Sequence, residues 1–345
     1  MNINSFRKTI LLHTLSAVPY PLLEKIVRPA VIIPYYHMIS DDEVIHIKHL
    51  YRHKNIKEFT QALEFLLQNY TPLSLMELID IITKGGALPE KAFLLTFDDG
   101  FREMSDIVAP ILIEKGIPAT FFINTAFIDN KEMCYQHEAS ILEEYLRNNC
   151  LSQEVMRKTA EILQGQSPCS KGRTPLMVMF RERELLHDIA KVVGYDFNDY
   201  LMRNKPYLTS EQIRRLLNQG FTIGAHSINH PLYSALSLED QLYQTSKSIR
   251  DIKDRFGLKY GAFAFPHTDH GVSKEFFIEI YKTGLVDISF GTSGIMDDIF
   301  YRNMQRINFE RPLLPVQNIM SFHLARRFFK NITGNGRLTR HCIVD

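Results

Sequence analysis

Cysteine is scarce: the chain has four, at 134, 150, 169 and 342, with no CxxC spacing. That excludes a disulfide framework and a Cys-based zinc site, and it fits a reducing compartment. Tryptophan is missing altogether. Neither charge is in excess, since 40 Lys and Arg face 39 Asp and Glu, for a net charge of +1. No global field is available to hold nucleic acid, and only local patches remain. No run reaches the roughly 18 apolar residues of a spanning helix, and there is no internal repeat or low-complexity tract. Hydrophobic residues at 45% and charged residues at 23% are ordinary globular usage. A chain of 345 residues can hold a barrel of about 250 residues with additions.

At the N-terminus, Arg7 and Lys8 precede the apolar run TILLHTLSAV. In outline this is a signal-peptide core, but His13 interrupts it and LSAVPYP offers no A-x-A cleavage site. Residues 1–30 are therefore expected to form an amphipathic helix, packed on the domain or lying on a membrane surface as a peripheral contact. The expected location is cytoplasmic or peripheral to the membrane rather than secreted.

Along the rest of the chain, strand-like and helix-like runs alternate. VIIPYYH (31–37), KAFLLTF (91–97), ATFFINT (119–125), FTIGAHS (221–227), GAFAFPH (261–267), LVDISFG (285–291) and QRINFE (305–310) read as strands. Between them, 56–70, 106–116, 210–220, 238–257 and 274–284 carry helical spacing, and several end in Gly. Continuous apolar strands interleaved with amphipathic helices imply a parallel sheet covered by helices. The expected fold is α/β: a distorted (β/α) barrel of about seven strands over residues 31–128 and 201–310. Residues 129–200 break the rhythm with helical segments and no clear strand, so they are expected to form an insertion near the barrel mouth. Residues 311–345 are expected to form a C-terminal helix and tail.

In such barrels, chemistry sits at the C-terminal ends of the strands. Four strands here run straight into ionisable groups: His37; Asp98 and Asp99; His226; and His267, with Asp269 and His270 close behind. Turn chemistry alone would favour Gly, Asn or Ser at those places. His226 and His230 stand four apart, and a helical turn there would put both imidazoles on one side. Two imidazoles and a carboxylate suit a divalent metal. Alone, the pair is equally a strand cap and an exposed His. Asp98 and Asp99 are likewise either an N-cap pair or a metal ligand beside a base.

Together, TFDDG and HSxxHP, each after an apolar strand, resemble the polysaccharide deacetylases of the NodB-homology type, carbohydrate esterase family four. The stretches LLTFDDGFREMSDIVAPILIEKGIPATFFI and LTSEQIRRLLNQGFTIGAHSINHP extend that resemblance. It implies a hydrolase that removes N-acetyl groups from a carbohydrate, whether polymer, oligosaccharide or glycolipid. It implies Asp98 as general base and Asp99, His226 and His230 as metal ligands, with Zn²⁺ favoured and Co²⁺ or Ni²⁺ possible. The metal would polarise the acetyl carbonyl and acidify a water.

The departures are specific. The family's third motif usually supplies an Arg that orients the base, and FAFPHTDHG has Ala264 in its place, as in a subgroup lacking that Arg. The fourth motif usually supplies a Trp, so Phe290 or a Leu is expected to wall the acetyl pocket. No clear fifth motif supplies a general acid, and His323 in SFHLARR lies in an unmatched tail. His267 is expected to be the acid, with Asp269 as its carboxylate partner, ahead of His37 and His270. Arg306 either approaches the pocket or pairs with a surface carboxylate. An O-acetyl esterase on the same metal and a degenerate glycan-binding barrel are the alternatives.

Overall fold

The computed structural model describes residues 18–164, 172–310 and 314–342. Its main sheet has eight strand segments: β1 Pro34–Tyr36, β2 Leu95–Phe97, β3 Ala119–Ile123, β4 Thr222–Ala225, β5 Ala262–Ala264, β6 Ile288–Gly291, β7 Asn303–Gln305 and β8 Ile307–Asn308. Their spatial order is β7-β6-β5-β4-β3-β2-β1-β8, with every pairing parallel. Only Arg306 separates β7 from β8. The first of these halves pairs with β6 and the second with β1, so one run of chain closes the ring. The sheet is thus a barrel of seven staves, as the sequence leads one to expect.

The helices are α1 Tyr20–Val27, α2 Ile45–Lys48, α3 Ile56–Asn69, α4 Leu75–Lys84, α5 Ala109–Lys115, α6 Tyr135–Asn148, α7 Gln153–Gln164, α8 Glu184–Val193, α9 Phe197–Asn204, α10 Ser210–Asn218, α11 Leu238–Phe256, α12 Lys274–Lys282 and α13 Val316–Ile332. Local chemistry sets their starts. Asn55 with Glu58, Ser74 with Glu77 and Thr209 with Gln212 form reciprocal capping boxes at α3, α4 and α10. Gly85, Gly116 and Gly257 end α4, α5 and α11 in the left-handed conformation. The sequence survey passes over α4. Its Ile-rich stretch lowers helix propensity, yet Ser-x-x-Glu at 74–77 marks its start.

Apolar side chains from the staves fill the barrel. Phe122, Ala262, Ile288 and Phe290 cluster inside it, while Phe97, Phe121, Ile223 and Phe263, on the other face of the staves, pack against the helices. Phe122 and Phe290 meet at a ring distance of 5.3 Å, and at Gly224 a Cβ would lie 2.3 Å from the Phe122 ring. That contact, not backbone freedom, requires the glycine.

The 129–200 region packs as helices α6, α7 and α8 and the first half of α9. Its core residues Cys134, Leu142, Leu186 and Ile189 cluster with Met38, Phe101, Phe127 and Tyr207. Met38, Phe101 and Phe127 lie just beyond the C-terminal ends of β1, β2 and β3, so the insertion sits over the end of the barrel that carries the ionisable groups. At the other margin, α1 packs along α13, and the Tyr20 and Tyr70 hydroxyls hydrogen bond at 3.0 Å. The apolar run before Val18, with its expected helix, lies outside the described residues. Among the described residues, no helix is long and apolar enough to cross a membrane.

Candidate active site

The strand ends converge. Asp99, His226 and His230 are all buried, and one ligand atom from each lies within 4.8 Å of the others. The Nε2 atoms of His226 and His230 stand 3.5 and 3.3 Å from Asp99 Oδ1. His226 uses Nδ1 on the Ala264 carbonyl at 2.8 Å, which fixes the ring and leaves Nε2 for a metal. The helical turn expected after Ser227 does not form. A bend does the work instead: Ser227 and His230 both have positive φ, and the His230 amide donates to Ser227 Oγ at 3.0 Å. Asp99 and His267 also have positive φ, so four residues of the site hold sparsely populated backbone conformations, as functional sites often do.

Does this cluster fit a cation? Asp99 Oδ1 and His226 Nε2 are buried without any hydrogen-bond partner. Burial pushes the Asp99 carboxyl up to about 7, with Asp98 adding to the rise and His37 opposing it. Burial lowers His226 to about 4 and holds His230 well below its ordinary value, so both imidazoles are neutral. Orphaned donors with two neutral nitrogens and one carboxylate are the donor set of a divalent metal. A cation there would satisfy all of them and hold Asp99 ionised.

Asp98 points to a different partner. Arg306 Nη1 and Nη2 donate to its two oxygens at 2.7 and 2.8 Å, and both residues are almost wholly buried. Burial works to raise the Asp98 carboxyl. The guanidinium, with His226 and His37 adding to it, more than offsets it and leaves Asp98 below its ordinary value. The Arg missing at Ala264 is thus supplied by the break between β7 and β8. Arg306 approaches the pocket, the first of the two alternatives open in the sequence.

His37 lines the cavity with 23% of its side chain exposed. Its Nδ1 lies 2.5 Å from Glu310 Oε2, and Glu310 Oε1 accepts the His37 and Met38 amides at 2.7 and 2.9 Å. Burial acts to lower His37. Glu310, by charge and hydrogen bond, outweighs it and carries His37 up to about 9. Glu310 is absent from the residues the sequence survey picks out, although it ends the strand QRINFE much as Asp98 ends KAFLLTF.

His267 lies against the metal cluster, its ring 4.4 Å from that of His230. Asp269 is not its partner, contrary to expectation. The Asp269 carboxylate turns away, accepts from Asn303 at 3.0 Å, Gln305 at 2.7 Å and Arg340, and is fully buried. His267 keeps an exposed face on the cavity, and without a carboxylate the desolvation of the rest of its ring, with the charge of His37 nearby, lowers it to about 4. His270 is exposed and does not line the cavity. His323, on α13, packs at Gly294 rather than in the cavity.

Arg340 spans two buried carboxylates, Asp269 and Asp298, and also donates to the Asp269 carbonyl at 2.6 Å. Replacing Arg340 with Met would leave both without a counter-charge, held only by neutral donors such as Asn303 and Gln305. Urea unfolding of Arg340→Met is expected to show a loss on the order of 3 kcal/mol near neutral pH. Arg340 helps hold Asp269 below its ordinary value, so Asp269 contributes stability above the unfolded pKa and loses it as pH falls through the folded one. The gap between wild type and variant should therefore narrow in acid.

The cavity over Asp99 has a volume of about 550 Å³, with His37, Tyr51, His230 and His267 in its wall. Gln136 and His137 of α6 complete the wall, so the insertion borders the site directly. Tyr35, Leu50 and Tyr51 are the apolar surfaces facing the cavity. Phe290 does not line it, being buried in the barrel against Phe122.

A family profile described as polysaccharide deacetylase matches residues 85–279. No match was found among curated proteins. Among solved structures, the chain resembles the Streptococcus pyogenes deacetylase PplD in complex with acetate, with TM-score 0.54 and 14% identity over 85% of this chain and 97% of that one. IcaB from Ammonifex degensii gives a TM-score of 0.53 and 16% identity over 86% and 97%. A de-N-acetylase from Aggregatibacter actinomycetemcomitans gives 0.50 and 17% over 84% and 99%. At these identities the structures speak for the fold. The profile covers more than half of the chain and includes Asp98, Asp99, His226 and His230, and on that basis the chain belongs to the polysaccharide deacetylase family of carbohydrate-deacetylating hydrolases.

Proposed function

We propose that the protein removes N-acetyl groups from an N-acetylated carbohydrate, with Asp98 as general base and His37 as general acid. The observation that carries this is the separation of two titratable groups. Asp98 is held ionised by Arg306, and His37 is held protonated by Glu310, both beside the Asp99–His226–His230 cluster. Environments that push acid and base apart assign their roles. Zn²⁺ fits the donor set best, with Co²⁺ or Ni²⁺ as substitutes, and when bound it supplies polarisation of the acetyl carbonyl and acidification of a water.

The side chains do the rest. Each Asp98 oxygen keeps a lone pair beyond its bond to Arg306, and the pair accepts a proton from the attacking water. Arg306 fixes the carboxylate plane and keeps it charged at neutral pH. His37 donates Nδ1–H to Glu310, so Nε2 is the atom that gives its proton to the departing amine. An amide needs that proton, since an amine anion does not leave. His267 is neutral and has no carboxylate, so it packs against His230 and does not take the acid role expected from the sequence.

The direct test is a purified enzyme and an N-acetylglucosamine oligosaccharide, measuring acetate and free amine together. Equal release of both supports the proposal, and acetate from an O-acetylated sugar alone would favour the esterase alternative. Stripping the protein with a chelator is expected to stop release and lower Tm, and added Zn²⁺ should restore both. Full activity after stripping would rule out the metal.

A further inference from the structure

The insertion holds a second cavity of about 420 Å³, a volume typical of small-ligand sites. Helix α6 stands between the two cavities. Gln136 and His137 face the catalytic one, while Tyr135 and Glu138 face the other. Asn229, next to the candidate ligand His230, also lines the second cavity. The thickness of that helix, about 10 Å, divides them, a span that an oligosaccharide of several units can bridge.

The chemistry of the second cavity is specific. Aromatic rings form its walls: Tyr135 meets Phe180 edge-on at 5.7 Å, and Tyr195 meets Phe197 at 5.5 Å. Glu138 opens onto the space with a side chain only 7% exposed. No hydrogen bond to that carboxylate is found among the described residues, and its nearest charged partner is His187 Nε2 at 3.5 Å. Of the lining cations Lys131, Arg183 and Lys191, the last two have partners of their own. Arg183 lies over the Phe180 ring and donates to the Phe180 carbonyl, and Lys191 pairs with Asp188 at 3.1 Å. Burial, reinforced by Glu184 and opposed by Arg183, pushes the Glu138 carboxyl up to about 8. Near neutral pH the group is therefore mostly the neutral acid, and a cationic ligand beside it would favour its ionised form.

We propose that this cavity is a glycan subsite for a hexosamine unit that already carries a free amine. Glu138 pairs with its ammonium group, and the aromatic walls pack against its apolar ring faces and its charge. The inference rests on the deacetylase function proposed above and extends it. The preferred substrate is a partly deacetylated oligomer, and each amine the enzyme produces is a ligand for its own subsite.

The probe is a glucosamine trimer, titrated calorimetrically into the full-length metal-loaded protein. Glu138→Gln is expected to weaken its binding by about tenfold or more, the usual worth of a buried charge-assisted bond. Tyr195→Ser, at a half-buried loop position, should weaken it as well. Far-UV circular dichroism of both variants should match that of wild type, which shows that they fold. Unchanged affinity in both variants, or no binding of the glucosamine trimer to wild type, would overturn the subsite. If binding depends on Glu138 but wild type releases no acetate, the proposed function fails while the subsite stands.

Discussion

Asp98→Asn is expected to lower kcat by about 10²–10⁴-fold, the usual worth of a general base, and to leave bound metal unchanged. Asn cannot accept the water proton at neutral pH. It also turns an amide N–H₂ towards Arg306, which is fully buried and would lose its counter-charge. The variant is therefore expected to lose stability too, and activity should be measured below its own Tm. Asp99→Asn should behave differently. Asp99 Oδ1 has no protein partner, so the loss falls on the metal rather than on an ion pair. Metal content measured for both variants separates the roles, and equal metal loss in the two would show that the carboxylates act as one unit.

Much of this site can be read from the sequence, and what cannot be read has identifiable causes. Asp98, Asp99, His226 and His230 are visible because each follows an apolar strand closely, and strand ends are local features. The barrel's closure is visible for the same reason, except that QRINFE is only half of its stave. Asn303–Gln305 pairs on the other side of Arg306 and looks like loop sequence. Arg306 itself is ambiguous in one dimension. An Arg in a strand is equally a surface residue until the barrel brings it to Asp98, 208 positions away. Glu310 shows the opposite failure, because the strand-end rule applied to it as well. The pairing of Asp269 with His267 rested on a separation of two residues. It failed because Arg340, 71 residues further on, offers Asp269 a full charge where His267 offers a neutral imidazole.

His37→Ala is expected to cost about 10²–10⁴-fold in kcat and to remove the alkaline limb of the pH–rate profile, and His267→Ala should keep that limb. The sign follows from the partners. His37 is raised to about 9 because Glu310 outweighs burial, so the acid form persists at neutral pH and is lost only as pH climbs towards that value. A cation on Asp99 reduces the help that Asp99 gives, so in the loaded enzyme the limb should fall somewhat below 9. His267 is lowered to about 4, so at neutral pH it lacks the acidic imidazolium proton and its removal leaves the limb in place. Glu310→Gln is the finer test. Gln still accepts from the His37 amide but withdraws the charge, so burial then governs the imidazole and the alkaline limb should move down. A limb that stays put in Glu310→Gln and His37→Ala but vanishes in His267→Ala would return the acid role to His267.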